Sequence, residues 1–243
     1  MTETLPTVAE VAALIDHAIL KPALTREEVD AQLALAKEYN VFSVCVRPTD
    51  VWHARQYLKG TDVKVGTVVG FPHGTNTTRT KVAETMGVIS IEGAQEIDMV
   101  LNIGKLKSGL YDDVREDIRA VVEASHEHGV EIVKVIFETA YLTKEEIIKA
   151  CELSEEAGAS FVKTSTGFAG EGATLENVII MRENTSLPTE VKASGGITNL
   201  DIVLEMMDAG VTRFGSSASK VILDELEARL AGGTSGVAYE GTY

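Results

Sequence analysis

Short apolar runs rich in β-branched residues alternate along the chain with longer stretches in which apolar residues recur every three or four positions. The first pattern predicts buried β-strands and the second predicts amphipathic α-helices. Strands are expected at Ile15–Ala18, Phe42–Val46, Val63–Gly70, Ile97–Asn102, Ile132–Phe137, Phe161–Ser165, Val191–Ser194 and Arg213–Gly215. Helices are expected at Arg26–Tyr39, Pro48–Leu58, Thr77–Ser90, Tyr111–His128, Lys144–Ala157, Leu175–Asn184, Asn199–Asp208 and Lys220–Leu230.

The order of these elements predicts the fold. Eight strands that alternate with eight helices indicate a parallel (β/α)₈ TIM barrel, with an extra N-terminal helix near Thr7–Leu14 that covers the bottom of the barrel. A doubly wound open sheet is the alternative, but no dinucleotide-binding glycine pattern follows the first strand. No linker interrupts the chain before its last dozen residues, so we predict a single domain over residues 1–243 with a flexible tail at about 232–243.

Capping residues support several of the predicted helix starts. Thr25 is followed three residues later by Glu28, and Thr143 is followed by Glu146. This spacing is that of a capping box, in which each side chain bonds the backbone N–H of the other residue. Both sites therefore predict a helix that begins at the next residue.

Ionisable side chains interrupt four consecutive predicted strands. Asp98, Lys134, Lys163 and Lys192 each lie inside an apolar run, at steps of roughly thirty residues, the length of one strand–helix unit. Side chains alternate between the two faces of a strand, so these groups can point into one enclosed lumen while their neighbours face the helices. A lone lysine would more simply reach solvent from an edge strand, but a sheet has only two edges. The pattern predicts a shared buried site.

A buried lysine indicates a class of chemistry. An ammonium group in an apolar strand is costly unless it is paired or deprotonated. A deprotonated lysine is a nucleophile toward carbonyl groups. The residues alone do not decide which of Lys134, Lys163 and Lys192 plays this part.

Small residues follow the last two predicted strands. Gly195-Gly196 comes after the seventh strand and Gly215-Ser216-Ser217 after the eighth. Barrels often bind phosphate with these two loops, because glycine lets backbone N–H groups approach an oxyanion and serine adds hydroxyl donors. The pattern predicts a small phosphorylated carbonyl compound as the substrate.

Composition narrows the class of protein. The length of 243 residues and a hydrophobic content of 44% suit one α/β barrel, and a net charge of −15 disfavours nucleic acid as a partner. No apolar run approaches a membrane span, and the N-terminus lacks the pattern of a signal peptide. Cys45 and Cys151 are not spaced as a metal-binding pair, which indicates reduced thiols and a cytoplasmic location. The histidines are scattered, so no metal or other cofactor is expected.

Six runs of residues, spread over nearly the whole chain, carry a resemblance to a known family. The run Lys163-Thr164-Ser165-Thr166-Gly167 combined with Lys192-Ala193-Ser194-Gly195-Gly196 is the most specific part. The other runs are Asp16 to Pro22, Ser43 to Val46, Glu96 to Asn102 and Lys134 to Thr139. By these runs the chain resembles the bacterial deoxyribose-phosphate aldolases. Thr198 stands where a basic residue is expected and Ser219 where glycine is expected, and the first departure leaves the charge of the phosphate end in doubt.

The resemblance implies a metal-independent class I aldolase. It implies reversible cleavage of 2-deoxy-D-ribose 5-phosphate to acetaldehyde and D-glyceraldehyde 3-phosphate, in deoxyribose phosphate catabolism. Lys163 would form the Schiff base, and Asp98 with Lys192 would relay protons. Lys134 would either hold a substrate hydroxyl or balance the charge of Asp98. The remaining substrate-binding residues would be Thr166, Gly195, Gly196, Gly215, Ser216 and Ser217.

Members of this family also tend to end in a tyrosine, which implies that Tyr243 assists proton transfer. The resemblance favours a homo-oligomer, with a dimer as the preferred form. Three other functions stay open from the residues: a Schiff-base aldolase with a different phosphorylated aldehyde or keto acid as its substrate, a phosphosugar-binding barrel without catalysis, and a metal-dependent aldolase. The scattered histidines disfavour the last of these.

Overall fold

Eight short parallel strands close into a barrel in the computed structural model, which describes residues 5–233. The strands are β1 (Ile15–Ile19), β2 (Ser43–Val46), β3 (Lys64–Val69), β4 (Glu96–Val100), β5 (Val133–Ile136), β6 (Phe161–Lys163), β7 (Glu190–Ser194) and β8 (Arg213–Ser216). Each strand pairs with its successor in the chain, and β8 pairs with β1 to close the ring. The predicted TIM barrel is confirmed.

Helices surround the barrel. They are α1 (Val8–Ala12), α2 (Arg26–Glu38), α3 (Val51–Tyr57), α4 (Thr78–Ser90), α5 (Ile103–Lys107), α6 (Tyr111–Glu127), α7 (Lys144–Glu156), α8 (Leu175–Glu183), α9 (Leu200–Asp208) and α10 (Ser219–Leu230). The helix before the barrel is α1, as predicted. Capping boxes are present at Thr25 with Glu28 and at Thr143 with Glu146, so α2 and α7 begin where the sequence indicated.

Three local features differ from the predicted elements. The segment expected to be one helix from Pro48 is a 3₁₀ turn at Pro48–Asp50 followed by α3, and the backbone of Asp50 at φ −103° departs from α-helical geometry at the junction. Helix α5 was not predicted; it begins where the Asn102 side chain accepts the backbone N–H of Lys105. A second 3₁₀ turn, Thr139–Tyr141, follows β5. These elements are only three to five residues long, which periodicity over a longer window does not detect.

Alternation along each strand separates two interiors. On β4, Ile97 and Met99 belong to the apolar core between sheet and helices, whereas Glu96 and Asp98 point the other way, into the barrel lumen. The same outer core receives side chains from every strand. The two lumen residues sit among buried charged groups instead of the apolar layers that usually fill a barrel.

A second buried ion pair lies outside the lumen, beneath the helices. Lys81 on α4 is fully buried, and its Nζ donates to Asp117 of α6 at 2.5 Å and to the carbonyl of Val100 at 2.9 Å. Thr78 donates a further hydrogen bond to Asp117 at 2.7 Å. These contacts hold α4 and α6 against the carboxyl end of β4, two residues beyond Asp98.

His17 is the buried titratable group on the outer face of β1. Its ring nitrogens lie 2.8 Å from Ser219 Oγ and 2.8 Å from Gln32 Oε1, which places it between α10 and α2. Burial lowers the pKa of His17 to about 4, although the hydrogen bond with Gln32 acts in the opposite direction. The imidazole is therefore neutral in the folded protein at neutral pH.

The free energy of unfolding should decrease as the pH is lowered, because the folded protein keeps His17 neutral. Between pH 6.5 and about 4, the unfolded chain binds a proton at this imidazole that the folded chain does not, so stability is lost as the pH falls through this window. The loss should reach roughly 3 kcal/mol. Urea unfolding over a pH series should give a flatter profile for His17→Gln than for the wild type. The exposed His126→Gln is the control, and an unchanged slope in His17→Gln would contradict the assignment.

Candidate active site

A single carboxylate binds three lysines at the centre of the lumen. Asp98 Oδ2 accepts hydrogen bonds from Lys163 Nζ at 2.7 Å and from Lys192 Nζ at 2.8 Å, and Oδ1 accepts one from Lys134 Nζ at 2.9 Å. All four residues are almost fully buried and come from the successive strands β4 to β7. The structure thus brings together the four ionisable residues that interrupt the predicted strands.

Three further charged residues extend this network. Asp16 on β1 accepts from Lys192 Nζ at 2.5 Å and from Arg213 Nη1 at 3.0 Å. Glu96 on β4 accepts from Lys134 Nζ at 2.6 Å, and its Oε2 lies 3.5 Å from Arg213 Nη1. We define the lumen network as these seven residues: Asp16, Glu96, Asp98, Lys134, Lys163, Lys192 and Arg213.

The sequence analysis gave no role to Glu96 or Arg213. A signal was present for Glu96, which lies two residues before Asp98 and therefore on the same face of β4. Arg213 begins β8, and no pattern in the sequence indicated what surrounds its side chain. Its guanidinium lies 3.6 Å from the ring centre of Phe42 and 5.4 Å from that of Phe161, so two aromatic rings hold it in the lower part of the barrel.

Two carboxylates of the network, Asp98 and Asp16, are ionised. Burial alone would raise the pKa of Asp98, but attraction to Lys134, Lys163 and Lys192 overrides burial and holds the pKa well below its usual range. Burial opposes ionisation of Asp16 in the same way, and the charges of Lys192, Lys134 and Arg213 lower its pKa. Both groups therefore stay negatively charged throughout the neutral range.

The three lysines have different surroundings. Lys134 lies within 4 Å of Glu96, Asp98 and Asp16, and these carboxylates raise its pKa against the effect of burial. Lys192 contacts Asp16 and Asp98, and its pKa is likewise raised although burial opposes it. Both lysines therefore stay protonated.

Lys163 is the exception. Among residues 5–233, Asp98 is the one carboxylate within ion-pair distance of its Nζ. Burial lowers the pKa of Lys163, and the nearby Lys192 charge acts in the same direction, which outweighs the attraction of Asp98. The strand register pairs Lys163 with Ile136, two residues beyond Lys134, so Lys163 lies closer to the carboxyl ends of the strands. It is the lysine of the network best suited to be a neutral amine near the barrel mouth.

Glu138 at the barrel mouth holds the loop after Lys163. Its backbone is in the left-handed region at φ 57°, a conformation that is uncommon for a residue with a side chain. The buried carboxylate accepts the backbone N–H of Thr166 at 3.2 Å and also its hydroxyl. That hydroxyl in turn accepts the N–H of Phe168 at 3.0 Å, and the Phe168 ring contacts Phe71 edge-on. Thr166 is therefore oriented by Glu138, which the sequence analysis missed.

Glycines pack closely in the loop after β7. Gly195 and Gly196 have φ angles of 81° and 76°, which few other residues adopt. A Cβ on Gly172, in the loop before α8, would lie 2.2 Å from the Gly195 carbonyl oxygen, so these two loops are in direct backbone contact. Gly195 and Gly196 thus need to be glycine for structural reasons as well as for any ligand.

The carboxyl end of β8 and the loop that follows it lie beside the loop after β7. A Cβ on Gly215 would come within 2.8 Å of Ser194 Cβ, so this position has no room for a side chain. The hydroxyl of Ser216 donates to the Ile197 carbonyl at 2.6 Å and accepts the Ala218 N–H at 2.9 Å. Through its side chain, Ser216 therefore links the end of β8 to the loop after β7. Ser217 is half-buried at the surface of this loop.

The remaining candidate groups are not members of the lumen network. Cys45 is buried, and burial raises the pKa of its thiol to about 11. Within residues 5–233, no group of three or more His, Cys, Asp or Glu side chains is placed to hold a metal ion. None of the helices in this range is long and apolar enough to cross a membrane. Tyr243 lies outside the described residues.

The lumen combines the groups that a carbonyl condensation requires. An amine of lowered pKa can attack a carbonyl carbon, an adjacent carboxylate can carry protons, and fixed ammonium groups can stabilise developing negative charge. Residues 10–238 match the family model described as DeoC/LacD family aldolase. The chain belongs to this aldolase family.

Individual relatives agree with this membership. The aldolase is 55% identical over 216 residues to a deoxyribose-phosphate aldolase of Staphylococcus epidermidis, with 89% of this chain and 96% of the relative covered. It is 53% identical to deoxyribose-phosphate aldolase 1 of Staphylococcus aureus, with 88% and 96% covered. The tetrameric deoxyribose-phosphate aldolase of Aeropyrum pernix superimposes with a TM-score of 0.84 at 27% identity, with 93% of this chain and 94% of that chain covered.

Removing the Lys192 charge should change the pH dependence of aldol cleavage. Because the Lys192 ammonium lowers the pKa of Lys163, Lys192→Met should raise that pKa and move the acid limb of the pH–rate profile upward. The rate should also fall by about tenfold or more, since Asp98 loses a partner. Lys149→Met removes a lysine of a surface ion pair and is the control. An acid limb that stays in place in an active Lys192→Met enzyme would contradict this coupling.

Proposed function

We propose that this aldolase reversibly cleaves 2-deoxy-D-ribose 5-phosphate into acetaldehyde and D-glyceraldehyde 3-phosphate through a Schiff base on Lys163. The substrate is suggested by the deoxyribose-phosphate aldolases to which the chain is more than 50% identical. The observation that most supports Lys163 as the nucleophile is its position: it contacts one carboxylate where Lys134 and Lys192 contact two or more, and its pKa is lowered where theirs are raised.

The proposed reaction begins when the neutral amine of Lys163 attacks C1 of the open-chain aldehyde and water is lost. The resulting iminium withdraws electrons, so the C2–C3 bond breaks as the C3 hydroxyl loses its proton. The bond electrons form an enamine on Lys163, and D-glyceraldehyde 3-phosphate departs with C3 as its aldehyde carbon. Protonation of the enamine at C2 and hydrolysis of the iminium then release acetaldehyde and the free amine.

Asp98 is the proposed carrier of these protons. Its Oδ2 is 2.7 Å from Lys163 Nζ and 2.8 Å from Lys192 Nζ, so a proton can pass between the reacting nitrogen and a second donor. Lys192 stays charged and keeps the pKa of Lys163 low. Lys134 balances the charge of Asp98 and Glu96, and its two short contacts favour this part over that of a substrate-hydroxyl ligand. Family resemblance alone supports Tyr243 as the donor to the enamine carbon.

The phosphate is proposed to bind at the loops after β7 and β8. In this proposal the backbone N–H groups of Gly195, Gly196, Gly215, Ser216 and Ser217 bind the phosphate oxygens, and the lack of a Cβ at the three glycines lets an oxyanion approach the backbone. The Thr166 hydroxyl donates to Glu138, which fixes its orientation in the loop after β6, next to the loop after β7, and in this proposal it accepts a hydrogen bond from the sugar.

The setting of the enzyme is also proposed. A homo-oligomer is supported by the tetramer that the Aeropyrum pernix relative forms. A dimer as the preferred form rests on the family resemblance alone. A cytoplasmic location is supported by the two cysteines, which are free buried thiols.

Reductive trapping should place the imine on Lys163. Borohydride added to the enzyme with acetaldehyde should alkylate this one lysine, because only a neutral amine condenses with the aldehyde. Peptide mass mapping locates the adduct. Lys163→Met should lose it, whereas Lys134→Met, if folded, should retain it on Lys163. An adduct on Lys134 or Lys192 of the wild-type enzyme would falsify the assignment.

A negative charge at position 217 should act against the phosphate. Ser217→Asp should lower kcat/KM for 2-deoxy-D-ribose 5-phosphate by about tenfold or more through charge repulsion. Activity on unphosphorylated deoxyribose should change much less. Ser90→Asp, at the exposed end of α4, adds the same charge away from the mouth and should affect neither substrate. Equal losses on both substrates in Ser217→Asp would place the phosphate elsewhere.

A further inference from the structure

The lumen network contains one more basic side chain than carboxylates. It contains three carboxylates, Asp16, Glu96 and Asp98, and four basic side chains, Lys134, Lys163, Lys192 and Arg213. All seven are at most 8% exposed, so water screens their charges poorly. With every group ionised, the network would carry one excess positive charge in a buried site. Charge neutrality is reached when one basic group gives up its proton.

The number of carboxylates that each basic group contacts indicates which of them loses its proton most easily. Arg213 is always protonated at physiological pH, and it contacts Asp16 and Glu96. Lys134 and Lys192 each contact at least two carboxylates. Lys163 shares its single carboxylate, Asp98, with both other lysines. The proton is therefore held least strongly at Lys163.

Arg213 and Glu96 take part in this balance without lying beside Lys163. Asp16 links Arg213 to Lys192, which contacts Asp98. Glu96 is linked to Asp98 through Lys134. Removal of either charge changes the potential along a hydrogen-bonded chain that ends at Lys163 Nζ.

We propose that Glu96 and Arg213 are positioning residues that set the protonation state of the reactive lysine from the lower part of the barrel, with opposite signs. The carboxylate of Glu96 favours the ammonium form of Lys163, and the guanidinium of Arg213 favours the neutral amine. This inference rests on the proposed role of Lys163 as the Schiff-base lysine. It extends the control of reactivity to two residues that do not touch the substrate.

Other titratable groups face the same lumen and mouth and have to be held constant in a test. The lumen itself adds Cys45 from β2, whose raised pKa keeps it an uncharged thiol. Glu138 and His73 lie at the mouth, and Glu138 interacts electrostatically with both Lys163 and His73. The titratable groups of the lumen and its mouth, besides Lys163, are Asp16 from β1, Cys45 from β2, Glu96 and Asp98 from β4, Lys134 from β5, Glu138 after β5, Lys192 from β7, Arg213 from β8 and His73 from the loop after β3.

The test measures borohydride trapping of the acetaldehyde imine on Lys163 as a function of pH, with the adduct located by peptide mapping. Glu96→Gln should move the midpoint of trapping to lower pH, and Arg213→Met should move it to higher pH, each by about half to one pH unit. The charge-balanced double variant Glu96→Gln/Arg213→Met should return the midpoint close to that of the wild type. A purely structural role would not give shifts of opposite sign that cancel.

Two controls separate charge from packing. Arg213→Lys keeps the charge but loses the planar group that contacts Phe42, so its midpoint should stay near the wild-type value. Glu131→Gln removes a carboxylate that is 78% exposed and should not shift the midpoint. If Arg213→Met does not fold, Glu96→Gln, the double variant and Arg213→Lys still decide the question.

The outcomes are distinct. Midpoints that do not move, or that move in the same direction for Glu96→Gln and Arg213→Met, would overturn the proposal while trapping on Lys163 continues. An absent adduct in the wild-type enzyme, or an adduct on another lysine, would instead refute the proposed function itself.

Discussion

The lumen of this barrel depends on one interaction, the binding of three lysines by the carboxylate of Asp98. Desolvation of a carboxylate and several ammonium groups is unfavourable, and attraction between them compensates only when the contacts are short and the geometry is good. Here each of the three contacts is 2.9 Å or less. Apolar side chains of similar volume would fill a barrel interior without the desolvation penalty of buried charges. The charges are therefore better understood as serving chemistry than stability.

Competition for that carboxylate makes the lysines unequal. Three residues of the same type on neighbouring strands would have similar reactivity if each had its own partner. Because Lys134 and Lys192 also contact Glu96 and Asp16, they retain their protons, and the shared carboxylate is insufficient for Lys163. A common buried environment thus raises the pKa of two lysines and lowers the pKa of the third. Electrostatic preorganisation of this kind needs no motion when the substrate arrives.

The mouth is organised by a different kind of contact. Rigid strands carry the charged groups, whereas the loops after β6, β7 and β8 are held to one another by backbone approach and by buried hydroxyls. The contact of Gly172 with Gly195 and the bonds of Ser216 to the neighbouring loop leave little freedom at the proposed phosphate end. In the neighbouring loop after β5, Glu138 adopts a left-handed backbone and orients Thr166. A substrate would therefore meet an entrance whose shape is set by loop–loop contacts.

The sequence by itself determined the barrel, the order of its strands and the four charged positions that point inward. These features are local: hydrophobic periodicity defines each element, and a period of two assigns each side chain to a face. Only the tertiary structure decided which charges pair. Asp16 and Lys192 are 176 residues apart in the chain and meet across the lumen, and Arg213 joins Glu96 from 117 residues away. The stagger between strands sets these pairings, and it arises when the barrel closes, so no single segment of sequence contains it.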